Sequence, residues 1–146
     1  MGNFATGITV VTTLGKDGKT YGLTVNSFTS VSLEPILVLI CLDNQLAGLH
    51  AFNDSKRFGV SILSETQEYL SRLFAKKDSE RPASIYFEGK TGIPLLRNSL
   101  GVLECETVAT YAAGDHIIFV GQVVAAEVIG TKGPLLYFRG RYQRLS

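Results

Sequence analysis

Apolar residues recur along the chain in short runs separated by turn-forming residues. Ile8 to Leu14 is rich in Val and Thr and ends at Gly15-Lys16-Asp17-Gly18-Lys19. Asp-Gly between two strand-like runs predicts a hairpin, so the first strand pairs with Tyr21 to Asn26. Pro35 opens Ile36 to Leu42, seven apolar residues without polar alternation, the pattern of a strand buried on both faces. Leu46, Leu49 and Phe52 have helical spacing over Leu46 to Asn53, and Phe58 to Leu63 reads as a strand. Ser64-Glu65-Thr66-Gln67 has the form of a capping box, which predicts a helix from Glu65 through Phe74 burying Leu70, Leu73 and Phe74.

The C-terminal half is more clearly patterned. From Leu100 to Tyr111, Leu103, Cys105, Thr107, Ala109 and Tyr111 share one face, with Glu104 and Glu106 on a wet side. After a turn at Ala112 to Asp115, His116 to Val128 is apolar on both faces: Ile117, Phe119 and Val123 oppose Ile118, Val120 and Val124. A small barrel has one interior, so the second apolar face predicts a subunit interface and a homodimer. A last strand region spans Leu135 to Leu145. About six short strands and two brief helices predict a mainly β fold, and closure removes exposed edges. The expectation is one domain over residues 1–146, a split antiparallel Greek-key β-barrel.

Fourteen Lys and Arg against thirteen Asp and Glu give a net charge of +1, which supplies no field for steering toward nucleic acid or an anionic membrane. Cys41 and Cys105 lie inside apolar strand patterns and form no zinc or redox motif, so both read as small buried hydrophobes. With no secretory leader and no apolar run long enough to span a bilayer, the chain is expected in the cytoplasm. No dinucleotide-fold glycine fingerprint, Walker loop, nucleophile elbow or zinc-protease motif occurs. His50 and His116 are not spaced as paired ligands, so no metal centre is expected.

Three stretches carry candidate chemistry. Gly22 to Pro35 crowds Thr24, Asn26, Ser27, Thr29, Ser30 and Ser32 between two apolar runs. Such groups either cap their own backbone or meet a polar ligand. Lys76 to Ser84 is charged and structure-poor, either a solvated loop or one whose Lys76 or Lys77 reaches a phosphate. His116 follows Gly114-Asp115 at a turn, where it caps its own loop or presents an imidazole on a rigid scaffold.

Thr24-Val25-Asn26-Ser27-Phe28-Thr29-Ser30-Val31-Ser32-Leu33-Glu34-Pro35 resembles the flavin-binding stretch of the flavin reductase-like family, the small NAD(P)H:flavin oxidoreductase components of two-component monooxygenases. Phe4-Ala5-Thr6-Gly7-Ile8-Thr9-Val10-Val11, Gly114-Asp115-His116 and Leu135 to Tyr142 agree with that family in the same order. The family usually has a short helix before the first of these segments; here Met1, Gly2 and Asn3 precede it.

The resemblance implies an FMN-binding-type split barrel with flavin near the dimer interface. It assigns Thr24, Val25, Asn26, Ser27 and Phe28, then Ser30 and Val31, to the flavin (FMN or FAD). Gln45, Leu46 and Ala47 match a flavin-contacting segment that is often basic. Here Gln45 and Ala47 are neutral, which weakens the phosphate contact or shifts it to Lys77, or to Lys56 and Arg57. Phe4, His116 and Tyr142 match positions around the NADH or NADPH, with Arg139 and Arg141 as phosphate partners and His116 orienting the nicotinamide. The implied activity is flavin reduction by direct hydride transfer from nicotinamide C4 to flavin N5, feeding a partner monooxygenase. A flavin-bound electron carrier and a ferric reductase or flavin-dependent oxidase are the alternatives on the same barrel.

Overall fold

A computed structural model of the chain describes residues 1–77 and 80–146. Strands β1 (Thr6–Gly7), β2 (Thr9–Leu14), β3 (Thr20–Val25), β4 (Phe28–Leu33) and β5 (Ile36–Asp43) come first, then helix α1 (Leu49–Ser55) and β6 (Arg57–Ile62). Helix α2 (Glu68–Ala75), β7 (Tyr86–Glu88), β8 (Pro94–Leu96), β9 (Gly101–Ala113), β10 (His116–Val128), β11 (Leu136–Phe138) and β12 (Arg141–Gln143) follow.

Seven strands form one antiparallel sheet in the order β3-β2-β6-β9-β10-β5-β4. Its two edge strands, β3 and β4, are consecutive in the chain and separated only by Asn26 and Ser27. Two residues span at most about 7 Å, so the sheet must curl until its edges meet at that corner. The result is a split barrel: the corner is closed covalently, and β3 and β4 share no ladder. Strands β5 and β6, consecutive through α1, lie on either side of the β9–β10 pair, which is the Greek-key crossing.

The barrel interior holds Val11, Ile40, Leu42, Phe52, Phe58, Val60, Cys105 and Phe119, all buried. Each large side chain removed from water contributes about 1.5–3 kcal/mol before the entropy of ordering it. A second cluster joins Ile8, Val10, Leu63, Leu70, Phe74, Leu96 and Leu135 under α2. Outside the barrel, β1 pairs with β11 and β11 with β12, which stitches the N-terminal arm to the C-terminal hairpin.

Five expectations change. The stretch Phe28–Leu33 is a strand, not a connection, and a bulge at Val31 shifts its register against β5. Strand β5 buries Val38, Ile40 and Leu42, but Leu37, Leu39 and Cys41 on its other face are only half-buried. Residues paired across a ladder share a face, so those three join Ile118, Val120 and Tyr111 in one partly exposed apolar surface outside the barrel. Ala109 and Tyr111 do not share the Cys105 face expected for them, because a bulge at Val108 shifts β9 by one residue.

Glu104 is not on a wet side. It is 4% exposed because the β7–β8 turn folds over it, and its carboxylate accepts from Thr91 N at 2.8 Å, Thr91 Oγ1 at 2.6 Å and Lys90 N at 3.0 Å. Helix α2 begins at Glu68, one turn later than its capping box predicts. Gln67 Oε1 does reach back to accept from Ser64 N at 2.9 Å, but the Ser64 hydroxyl bonds Thr66 Oγ1 instead of capping the backbone. The first turn therefore stays outside the helix. Residues 78–79 of the charged Lys76–Ser84 stretch lie outside the described residues. Its end is ordered by Arg81, whose guanidinium donates to Gly22 O at 2.9 Å and stacks 4.5 Å over the Phe74 ring.

Candidate functional site

The corner where β3 passes into β4 opens into a cleft of about 320 Å³. The N-terminal arm forms one wall through Phe4, Thr6 and Gly7, and the corner forms the other through Asn26, Phe28 and Thr29. Two features of the arm stand out beside this cleft. The Thr6 hydroxyl oxygen is buried with no hydrogen-bond partner, and an unpaired buried hydroxyl is costly until a ligand or water meets it. At Gly7, a Cβ would meet nothing within 4 Å, so the arm leaves open space beside its backbone.

The predicted flavin residues divide by environment. Asn26 and Phe28 line the cleft, while Val25 is buried at 8% exposure behind them. The Thr24 hydroxyl faces the other way and donates to Ser71 O at 2.7 Å. Ser27 Oγ donates to Cys41 O at 3.0 Å and accepts from Cys41 N at 3.3 Å, so it extends the β4–β5 ladder by one step. Ser30 and Val31 lie exposed on the sheet edge at the bulge.

Gln45, Leu46 and Ala47 follow β5 in a tight turn, with Gln45 N bonded to Asp43 Oδ1 at 2.8 Å. Across from it is the Gly114-Asp115-His116 turn. Gly114 has φ +62°, a left-handed backbone that glycine adopts without strain. Asn44 joins the two turns: its amide donates to Asp115 O at 2.9 Å and its side chain to Gly114 O at 3.3 Å.

His116 opens β10 opposite Asp43. Its Nδ1 is 2.7 Å from Asp115 Oδ1, and a carboxylate only accepts, so Nδ1 carries the hydrogen. In the neutral ring, Nε2 then presents a lone pair. The same bond holds the Asp115 carboxyl below its ordinary pKa. Two strands away in register, Ser27 lies beside Cys41 and Cys41 beside Ile118. The imidazole, the Gln45–Ala47 turn and the corner thus occupy one end of the sheet.

A second cleft, about 440 Å³, lies between α2 and the C-terminal hairpin and is lined by Glu68, Arg72, Tyr137, Arg141 and Tyr142. Tyr142 and Arg141 are here, apart from Phe4, which stands 69% exposed at the first cleft. Arg139 has φ 52°, and its Nε donates to Asn3 Oδ1 at 2.9 Å, so part of its guanidinium secures the N-terminal arm. Of the basic residues considered for phosphate, Lys77 is exposed beside 78–79 and Lys56 caps α1 with φ 54°. Arg57 donates to Thr91 O.

Sequence reasoning did not single out Thr6, Ser71, Arg72 or Arg81. Thr6 stands in a quoted segment, but only the arm's docking on β11 buries its hydroxyl. Arg81 lies in the charged stretch, where no periodicity marks it as half-buried.

The sequence model of the flavin reductase like domain matches residues 1–146. A probable flavin reductase of Rhizobium meliloti (strain 1021) is 42% identical over 97% of this chain, which spans 45% of that relative's length. The NADH:FAD oxidoreductase of Streptomyces globisporus C-1027, solved with NAD and FAD fragments, has TM-score 0.92 and 37% identity, covering 99% of this chain and 88% of its own. The styrene monooxygenase flavin reductase of Pseudomonas putida S12 has TM-score 0.90 and 35% identity, covering 99% of this chain and 94% of its own. With its whole length matched by the family model and its split barrel shared with these reductases, the chain belongs to the flavin reductase-like family.

Proposed function

We propose that this protein uses NADH to reduce free flavin and releases the reduced flavin to a separate monooxygenase component. The single observation that carries this reading is the corner cleft, which Phe4, Thr6 and Gly7 of the N-terminal arm line together with Asn26 and Phe28, with open space at the Gly7 Cβ position. Flavin supplies the electron-accepting ring, with hydride moving from nicotinamide C4 to flavin N5, so the protein needs neither a nucleophile nor a carboxylate pair.

The chain's residues bind and orient. Asn26 offers a donor and an acceptor to ring carbonyls and nitrogens, and Phe28 gives an apolar edge. His116, fixed by Asp115 through Nδ1, turns Nε2 toward a carboxamide donor and limits how the nicotinamide can rotate. Arg141 and Lys77 supply cations to meet phosphates.

The face formed by Leu37, Leu39, Tyr111, Ile118 and Val120 continues to Val124, 43% exposed. We infer that a second copy covers it, which puts a two-fold partner beside the site. A cytoplasmic location follows from the redox role and reduced nicotinamide supply.

NADH oxidation in air, followed against added FMN or FAD, tests the activity. The expected result is a rate that depends on free flavin and saturates with it. Tightly held stoichiometric flavin with no NADH consumption at any flavin level identifies an electron carrier instead. Sedimentation tests the pairing: a dimer is expected, Val124→Lys should dissociate it, and a stable monomer for the unmodified chain rules it out.

A further inference from the structure

Helix α2 carries a serine whose hydroxyl and carbonyl both bond groups outside the helix. Ser71 is fully buried. A buried helical serine ordinarily returns its hydroxyl to a carbonyl one turn back, but Ser71 Oγ shares a 2.8 Å hydrogen bond with Tyr142 Oη on β12. Its carbonyl accepts from the Thr24 hydroxyl on β3 at 2.7 Å. Thr24, Ser71 and Tyr142 therefore form a continuous string from the strand that leads into the corner cleft to the hairpin that walls the second cleft.

The rest of the Tyr142 ring is held from the same side. The Arg72 guanidinium stacks 4.8 Å from its centroid and is itself fixed by Glu68 through a 3.0 Å contact from Nε to Oε2. Tyr137 meets the ring edge-on, 5.5 Å away at 71°. Arg72 and Tyr137 constrain the face and edge, and among the described residues only Ser71 bonds the hydroxyl at the far end of the phenol.

We propose that Ser71 is a positioning residue for the nicotinamide nucleotide: it acts through Tyr142, setting that ring against the flavin-facing strand before the nucleotide arrives. This rests on the reading that Tyr142 contacts the nucleotide. A preset ring spares the nucleotide the cost of ordering it, so the effect falls on binding and not on the chemical step.

Steady-state kinetics with saturating flavin and varied NADH test this on Ser71→Ala, Tyr142→Phe and the double variant, with melting temperatures alongside. Loss of one such hydrogen bond should raise the KM for NADH about fivefold, leaving kcat and the flavin KM within about twofold. Because both variants cut the same bond, the double variant should be no worse than either single one. A Ser71→Ala protein that melts lower with unchanged KM for NADH, while Tyr142→Ala raises it, makes Ser71 structural and overturns the proposal. Multiplying effects in the double variant overturn it too, since the residues would then act separately. If neither Tyr142→Phe nor Tyr142→Ala moves the KM, the reading of Tyr142 fails and the proposal falls with it.

Discussion

Strands β2 and β4 are both rich in hydroxyls and have opposite fates. In β2, Thr9, Thr12 and Thr13 are buried, and each hydroxyl has an acceptor inside the protein: Val25 O at 3.0 Å, Pro94 O and Arg57 O at 2.7 Å. In β4, Thr29 and Ser30 are exposed, and among the described residues the Ser30 and Ser32 hydroxyls bond no protein group. The difference is place, not chemistry. Strand β2 has neighbours on both sides, β3 and β6, whereas β4 pairs with β5 alone. A hydroxyl between two strands serves the fold; one on the open edge beside a cleft is available to a ligand or a second subunit.

Removing a structural hydroxyl should therefore cost stability and spare function. Thr13→Val keeps the shape but removes one of the two hydroxyls that donate to Arg57 O, leaving the Ser55 donor at 3.0 Å, and the lost hydrogen bond costs about 0.5–1.5 kcal/mol. Thermal melting should fall while the flavin KM stays unchanged. Wild-type melting in this variant places β2 with the replaceable surface hydroxyls.

The buried wall also carries a pH signature. Burial raises the Cys105 thiol from its ordinary 9.0 to about 12. The folded protein thus keeps a proton that the unfolded chain gives up. The stability associated with the neutral thiol is complete below pH 9 and is lost as pH rises from there toward 12, by about 1.4 kcal/mol per pH unit at the steepest. Urea unfolding at pH 8 and pH 10 should show a larger loss in the wild type than in Cys105→Ala. Equal losses contradict the assignment.

The open edge should respond in the reverse sense. Ser30→Ala touches no internal partner, so its stability should stay within about 0.5 kcal/mol of wild type. Its flavin affinity should weaken about fivefold, as for one lost hydrogen bond. A drop in melting temperature with unchanged flavin binding makes Ser30 structural.

Much of this contrast is not legible in sequence. The β2–β3 hairpin is, because Asp17-Gly18 and the flanking apolar runs are local. The core side of β10 is also legible, since Ile117, Phe119 and Val123 keep the two-residue period. Strand β4 is hidden because its hydroxyls carry no apolar period and its exposure depends on which strand ends the sheet, a long-range outcome. Glu104 reads as solvated because the donors that bury it, Lys90 and Thr91, arrive from a hairpin that no strong apolar run announces. At the site, the family resemblance marks Phe4, Asn26 and Phe28, which meet in one cleft. It does not mark Thr6, whose orphaned hydroxyl exists only once the arm docks on β11, or Ser71, whose helical position looks like any small core residue.

If the corner cleft between the N-terminal arm and β4 holds the flavin, as we propose, a side chain added at Gly7 should compete with the ring for that space, which Gly7→Val supplies. Gly7 lies on a strand without a left-handed backbone, and a Cβ there has nothing within 4 Å, so the side chain enters open space without disturbing the fold. Flavin fluorescence quenching, titrated against wild type and Gly7→Val, should show at least a tenfold weaker affinity in the variant at an unchanged melting temperature. Equal flavin affinity in a Gly7→Val protein that melts as the wild type does would contradict the assignment of this cleft.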